Sequence, residues 1–457
     1  MRNLLKFLFF LVYISLFITN QRQFSLVVDN LVPVRIFIIC FLVVASCYFI
    51  WQERRRVVVT TWKLVKSDKV LSLMIILFLW RSLSLFMAKD LGSGLVMLSW
   101  WGSVVAFYFL GSYLVSLPKL KESGLHGMLL GVVVSVLAAI YQTVSFVVWG
   151  IQQFDLWGWQ YPDGFRVPGL MLDSNHFGSL MVASFFVVFW FLGSKRRLVW
   201  SILTSFIILG AYSLSSSRSA LLGLLGGSVA VFARLLWKRE IRALMVFMMA
   251  LILGVSSGLV ISKVIEVYTS NFVSSYSLLH SEVAAKLKRT AEMQRVNQEY
   301  LEFEGVFSSI NQLLPARVAR VFDASAKSHV EMLAASWGLG LRFPFLGVGY
   351  GNFSAGLRSQ PDLYQSASRF DPRGLATARF PSHTLWGEQL AETGFVGLAL
   401  YFLLVTAILY KILKSRTLAG TIFAGVWISF LVFSVFYAAN EEFFWLVPFL
   451  GIWLNKV

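Results

Sequence analysis

Runs of apolar residues, each long enough to cross a lipid bilayer, dominate this chain. A span needs about 20 such residues. Candidate runs cover 4–20, 33–51, 70–88, 92–116, 125–149, 177–194, 199–215, 219–236, 244–262, 394–413, 419–438 and 442–455. In hydrocarbon each backbone N–H and C=O must be satisfied within its own segment, so runs of this kind fold as helices. The expected fold class is therefore all-α: a polytopic integral membrane protein with about 12 transmembrane helices. Composition agrees, with 57% hydrophobic and 14% charged residues, where a soluble domain carries about a quarter charged. Disorder, a collagen-like fibre, a disulfide scaffold and an ordinary soluble enzyme are excluded.

The net charge of +17 is explained by where the bases fall. Alternation from an inner N-terminus places Arg54, Arg55, Arg56, Lys63, Lys66 and Lys69 in one inner connection. The other inner connections hold Lys119 and Lys121; Lys195, Arg196 and Arg197; Lys238, Arg239 and Arg242; and Lys411, Lys414 and Arg416. Short outer connections hold only Arg22, Lys89 and Arg166, with Asn440, Glu441 and Glu442 before the last run. This is the positive-inside pattern, so no nucleic-acid partner is needed to account for the charge. The first run lacks a small-residue cleavage site and reads as a retained helix. Cys40 and Cys47, seven positions apart in one run, share a helix face and fit no zinc pattern.

One connection departs from the short-loop pattern. Helices are expected over 1–262, a large outer loop domain over 263–382, and the last helices over 383–457. Structureless loops of that length are uncommon and usually functional. Within it, 281–303 has a helical apolar face and 329–342 reads as a second helix. Gly347, Gly349 and Gly351 follow Pro344 and suit a tight turn rather than a nucleotide-binding loop.

Four outer places concentrate polar groups. Arg218 lies in the hairpin Ser215–Ser219, where a guanidinium suits phosphate oxygens and an intramembrane Arg marks function; a snorkelling helix-end Arg is the structural alternative. Arg166 precedes Asp173, Ser174 and Asn175, which can cap a helix. Arg81 stands alone inside the third run and either binds an anionic head group or pairs structurally. His383 precedes the tenth run, followed by Glu388 and Glu392; a helix N-terminus favours a neutral imidazole, which can act as a general base. No Asp-rich pair marks a metal site. Together these groups suggest an anionic substrate held at the outer boundary, with no metal or other cofactor.

These residues resemble the O-antigen ligase/polymerase superfamily of bacterial membrane glycosyltransferases. The resemblance rests on Phe165-Arg166 through Asn175, on Arg218 to Leu222, on the Pro344–Phe353 turn, and on His383-Thr384, nine residues, Gly394, two residues, Gly397. It implies a GT-C-like fold in the bacterial inner membrane, with the large loop and the active site facing the periplasm. It also implies an undecaprenyl-diphosphate-linked glycan donor and a metal-independent, inverting transfer. The acceptor would be lipid A–core for a ligase, or a lipid-linked glycan for an O-antigen, capsule or exopolysaccharide polymerase. By that analogy His383 activates the acceptor hydroxyl and Arg218 binds the donor diphosphate, with Arg166 and Arg342 as further diphosphate candidates and Arg81, His329 and Glu388 in support. Two positions depart from the pattern: Thr384 stands where relatives carry Asn, Ser or Gln, and His329 lies near a place where they carry Arg. A His there would be charged only at lower pH. The His-to-Gly spacing favours a ligase over a polymerase. A twelve-helix transporter or flippase is the reading from another class, but no matching halves are visible.

Overall fold

The computed structural model describes residues 1–19, 32–149, 167–171, 173–194, 197–279, 324–368, 382, 384–415, 417–437 and 442–455. Every regular element among them is helical. The apolar runs become α1 (Arg2–Ser15), α2 (Pro33–Glu53), α4 (Lys69–Ser84), α5 (Leu91–Leu114), α6 (Leu120–Trp149), α7 (Ser174–Ser194), α8 (Leu198–Leu214), α9 (Arg218–Trp237), α10 (Ile241–Leu279), α14 (Leu385–Lys414), α15 (Leu418–Val435) and α16 (Glu442–Leu454). A short α3 (Val57–Ser67) joins α2 to α4, and the long loop contributes α11 (Ala324–Arg342), α12 (Phe353–Arg358) and α13 (Pro361–Ser368).

All twelve runs are helices, but not all have span length. Among the described residues nine segments are long and apolar enough to cross a membrane, with Pro33–Ser67 counted as one. α8 and α16 are apolar but shorter, and α1 has 14 residues. The all-α polytopic expectation holds, with nine of the twelve runs at span length among the described residues and the other three shorter there. The physical reason is clearest in α16, whose residues from Glu442 to Trp453 are all buried. A helix surrounded by protein has no lipid thickness to match. Around it pack Trp101, Tyr401, Trp427 and Phe430, so an aromatic column fills the bundle centre. Cys40 and Cys47 are both exposed on α2 and unbridged.

Contacts sort the polar residues into two ends. At one end Lys411 Nζ binds Asp68 and Tyr108, Arg234 Nη2 donates to the carbonyls of Leu413 (2.6 Å) and Ser415 (2.8 Å), and Asn455 accepts from Ser415 and Thr417. At the other, Arg35 pairs with Glu442 at 2.6 Å, Tyr437 donates to Asp173, and Val167 N donates to Leu214 O. Lys411, assigned by alternation to an inner connection, and Glu442, assigned to an outer one, thus lie at opposite ends.

Two element boundaries differ from expectation. α10 continues past the apolar run to Leu279. α14 begins at Leu385, nine residues before its apolar stretch, and is bent at Gly394 (φ 69°, ψ −174°). Its leading turns are sheltered by α11, where Gly340 lets the helices approach: a Cβ there would lie 2.4 Å from Leu390 Cγ. α11 itself covers the expected 329–342 helix. The helix expected over 281–303 lies outside the described residues.

Candidate active site

The hairpin between α8 and α9 is set by its serines. Tyr212 Oη donates to Ser217 O (3.0 Å), and Ser217 N donates to Ser215 Oγ (3.2 Å). Ser217 Oγ then accepts from Ala220 N (3.3 Å) and caps α9. Between them Ser216 adopts φ 50°, a left-handed conformation that a non-glycine residue holds at a cost and that recurs at functional sites. Arg218 is the first residue of α9 and is half-buried. It lines a cleft with Tyr212, Ser213 and Ser217 on one side and Val255, Leu259 and Ser262 of α10 on the other. A cation at a helix N-terminus opposes the helix dipole. An anion bound there is favoured by both the guanidinium and the helix start.

The start of α7 abuts this hairpin. A Cβ on Gly178 would lie 2.7 Å from Ser215 Oγ and 2.9 Å from Ser217 Cβ. Asp173 caps α7 by accepting from His176 N (3.2 Å) and also receives the Tyr437 hydroxyl at the end of α15. The His176 ring stands edge-on to Tyr437, centroids 5.1 Å apart. One turn back on α15, Ser434 accepts from Trp386 Nε1 of α14 (3.1 Å). A continuous set of contacts therefore runs from the Arg218 hairpin through α7 and the end of α15 to the start of α14.

At that start, Thr384 accepts from Gly387 N (3.5 Å) and caps the helix. Ser382 N donates to the buried Glu388 carboxylate (3.2 Å), and Ser382 Oγ donates to Thr384 O (2.6 Å). The residues on either side of position 383 are thus held by the first turn of α14. His383 and Arg166 themselves lie outside the described residues.

A second polar group sits behind this rim. Arg81 is fully buried. Its guanidinium carbon is 4.3 Å from the ring centroids of both Trp101 and Tyr350, and Nη2 donates to Gln389 Oε1 at 2.7 Å. Tyr350 belongs to the glycine turn, in which Gly347, Gly349 and Gly351 have φ of 66°, 97° and 73°. The turn binds α14 through its backbone: Val348 N to Ala391 O (2.8 Å), Gly349 N to Glu392 O (3.1 Å) and Phe353 N to the Glu392 carboxylate (3.0 Å). It also binds α4, where Ser84 Oγ accepts from Tyr350 N (3.0 Å), and the start of α5, where Asn352 accepts from Asp90 N (2.7 Å). The sequence places Glu392 beside His383 and Tyr350 and Asn352 in the glycine turn, but gives neither them nor Trp101 and Gln389 a role at the site; only the turn's glycines signalled a close approach.

The remaining candidates are dispersed. Arg342 ends α11, where its exposed guanidinium forks onto Asp362 (Nη1–Oδ1 3.0 Å) and donates to Gln360 at 2.6 Å. That hydrogen bonding holds the Asp362 carboxyl below the usual carboxylate range. His329 is on α11, away from its C-terminal end. The structure brings Glu388 and Arg81 to the same stretch of α14, and it puts Arg218 at the same end of the bundle. Among the described residues no three His, Cys, Asp or Glu side chains converge.

A search of curated proteins finds no match. A family model described as O-antigen ligase matches residues 203–402, from α8 to the middle of α14, and so includes Arg218, Arg342, the glycine turn, His383 and Glu388. Residues 203–402 thus match an O-antigen ligase domain, which supports the likeness to the O-antigen ligase/polymerase superfamily.

Proposed function

We propose that this protein is a ligase-type glycosyltransferase of the bacterial inner membrane. It moves a glycan from undecaprenyl diphosphate to a sugar hydroxyl of lipid A–core at the periplasmic face. The observation that carries this reading is the run of contacts linking the Arg218 hairpin to the start of α14. A phosphate-binding group and the segment that bears His383 then share one membrane face. In this reading Arg218 and the α9 N-terminus hold the donor diphosphate. His383 accepts the proton of the acceptor hydroxyl as its oxygen attacks the anomeric carbon. The bond from that carbon to the diphosphate oxygen breaks on the opposite face, so the configuration inverts and undecaprenyl diphosphate leaves. The diphosphate charge is met by guanidinium, so the reading calls on no metal.

The test is transfer by the purified, reconstituted protein from radiolabelled lipid-linked glycan, with and without lipid A–core. Label on lipid A–core only when that acceptor is present supports a ligase. A ladder of longer lipid-linked chains without it replaces this reading with a polymerase. A change of sidedness with no new covalent partner replaces it with a transporter. His383→Ala is expected to lower turnover by about 10²–10⁴-fold, the usual worth of a general base. Arg218→Ala is expected to abolish transfer with the protein still folded. Wild-type turnover in either variant removes that residue from the mechanism.

A further inference from the structure

The connection between α2 and α4 is itself a helix, and its geometry places it at the membrane surface. α2 has 21 residues, about 32 Å of helix, which already crosses the roughly 30 Å hydrocarbon layer. The 11 residues of α3 add about 16 Å that the layer cannot hold. Both ends of α3 are fastened to one end of α5. Before it, Glu53 accepts from Tyr113 Oη and from Thr60 Oγ1, each at 2.6 Å. After it, Asp68 accepts from Tyr108 Oη at 3.1 Å, and Ser72 Oγ donates to Val65 O at 2.6 Å. Tyr108 and Tyr113 are separated by about 7–8 Å along α5. A 16 Å helix held between two such depths lies closer to the membrane plane than to its normal. The break that turns the chain is at Arg54 (φ 44°).

The exposed side of α3 has a definite chemistry. No residue of α3 is buried. Val58, Val59 and Trp62 are exposed, and so are Arg54, Arg55, Arg56, Lys63, Lys66 and Lys69. No acid occurs from 54 to 67, and the acids that flank the segment, Glu53 and Asp68, are engaged internally. The surface is thus basic, with an aromatic residue at the level where Trp prefers to sit.

We propose that α3, with the preceding arginines, is a preformed interfacial site for anionic phospholipid head groups, at the end of the bundle opposite Arg218. Guanidinium and ammonium groups meet the lipid phosphates, while Trp62 and the valines enter the acyl boundary. The inference does not depend on the transfer reaction.

The full chain in detergent, titrated with phosphatidylglycerol or phosphatidylcholine, tests it by native mass spectrometry of the bound lipid. A cation beside an anionic surface is worth about 1 kcal/mol, or about fivefold in affinity per base. The variant R54Q/R55Q/R56Q/K63Q/K66Q is expected to bind phosphatidylglycerol at least about tenfold more weakly, with phosphatidylcholine unchanged. R54K/R55K/R56K, which keeps the charge, is expected to retain binding and excludes a general folding defect. R239Q/R242Q, at another basic connection of the same end, is expected to have little effect. Unchanged phosphatidylglycerol binding in the five-base variant overturns the proposal, as does an equal loss in R239Q/R242Q.

Discussion

Gly394 shows how one residue positions the candidate site. Its φ of 69° and ψ of −174° fall in a region that is essentially glycine-only. A Cβ there would lie 2.3 Å from Phe345 O. The break frees Phe395 N to donate to Pro344 O at 2.8 Å, so the helix is interrupted where the glycine turn docks. Gly394→Ala should therefore cost at least about 1–3 kcal/mol for the backbone alone, with the clash adding to it. Gly193, with no atom within 4 Å of its added Cβ, is the matched control, since Ala in a helix is favoured over Gly by about 0.5–1 kcal/mol. Thermal unfolding of the two purified variants checks the contrast, and a Gly394→Ala protein as stable as wild type contradicts it. The Gly394 and Gly397 spacing was visible in the sequence. The reason for Gly394 was not, because its partner lies in a loop 49 positions away.

At the scale of the element, legibility followed the range of the interactions. Each of the twelve apolar runs is a helix because hydrocarbon or a packed interior leaves the backbone no other partner. The Asp173 cap was equally local, lying beside the N–H it satisfies, and the structure adds a cap at Ser217. Boundaries failed where shelter comes from elsewhere. The first turns of α14 are polar, with Glu388, Gln389 and Glu392, yet all three are buried because α11 and the glycine turn cover them. Arg81 meets Gln389 across 308 positions, a pairing that no helical periodicity reveals. The α9 cap carries its own test. Ser217→Ala should destabilise by about 1 kcal/mol, whereas Ser217→Asn, which retains an acceptor, should stay near wild type. Equal melting midpoints for the two would remove the cap from the account of how Arg218 is held.

For the whole molecule the question is sidedness. Bases assigned to inner connections lie at the end of Lys411, Arg234 and Lys238, and the Arg218 hairpin lies at the other. With that basic end facing the cytoplasm, as the positive-inside rule requires, a Ser216→Cys variant should react in intact cells with a membrane-impermeant maleimide. A Lys238→Cys variant should react only after the cells are opened. Both would be made with Cys40 and Cys47 replaced by Ala. The reverse pattern inverts the molecule and moves the candidate active site to the cytoplasm.

The burial of α16 bears on how such a molecule is made. The helix at the centre of the bundle follows every other described helix in the sequence. Trp101, Trp427 and Tyr401 all pack on its Trp445. The 13 residues of α16 act as the keystone of a vault.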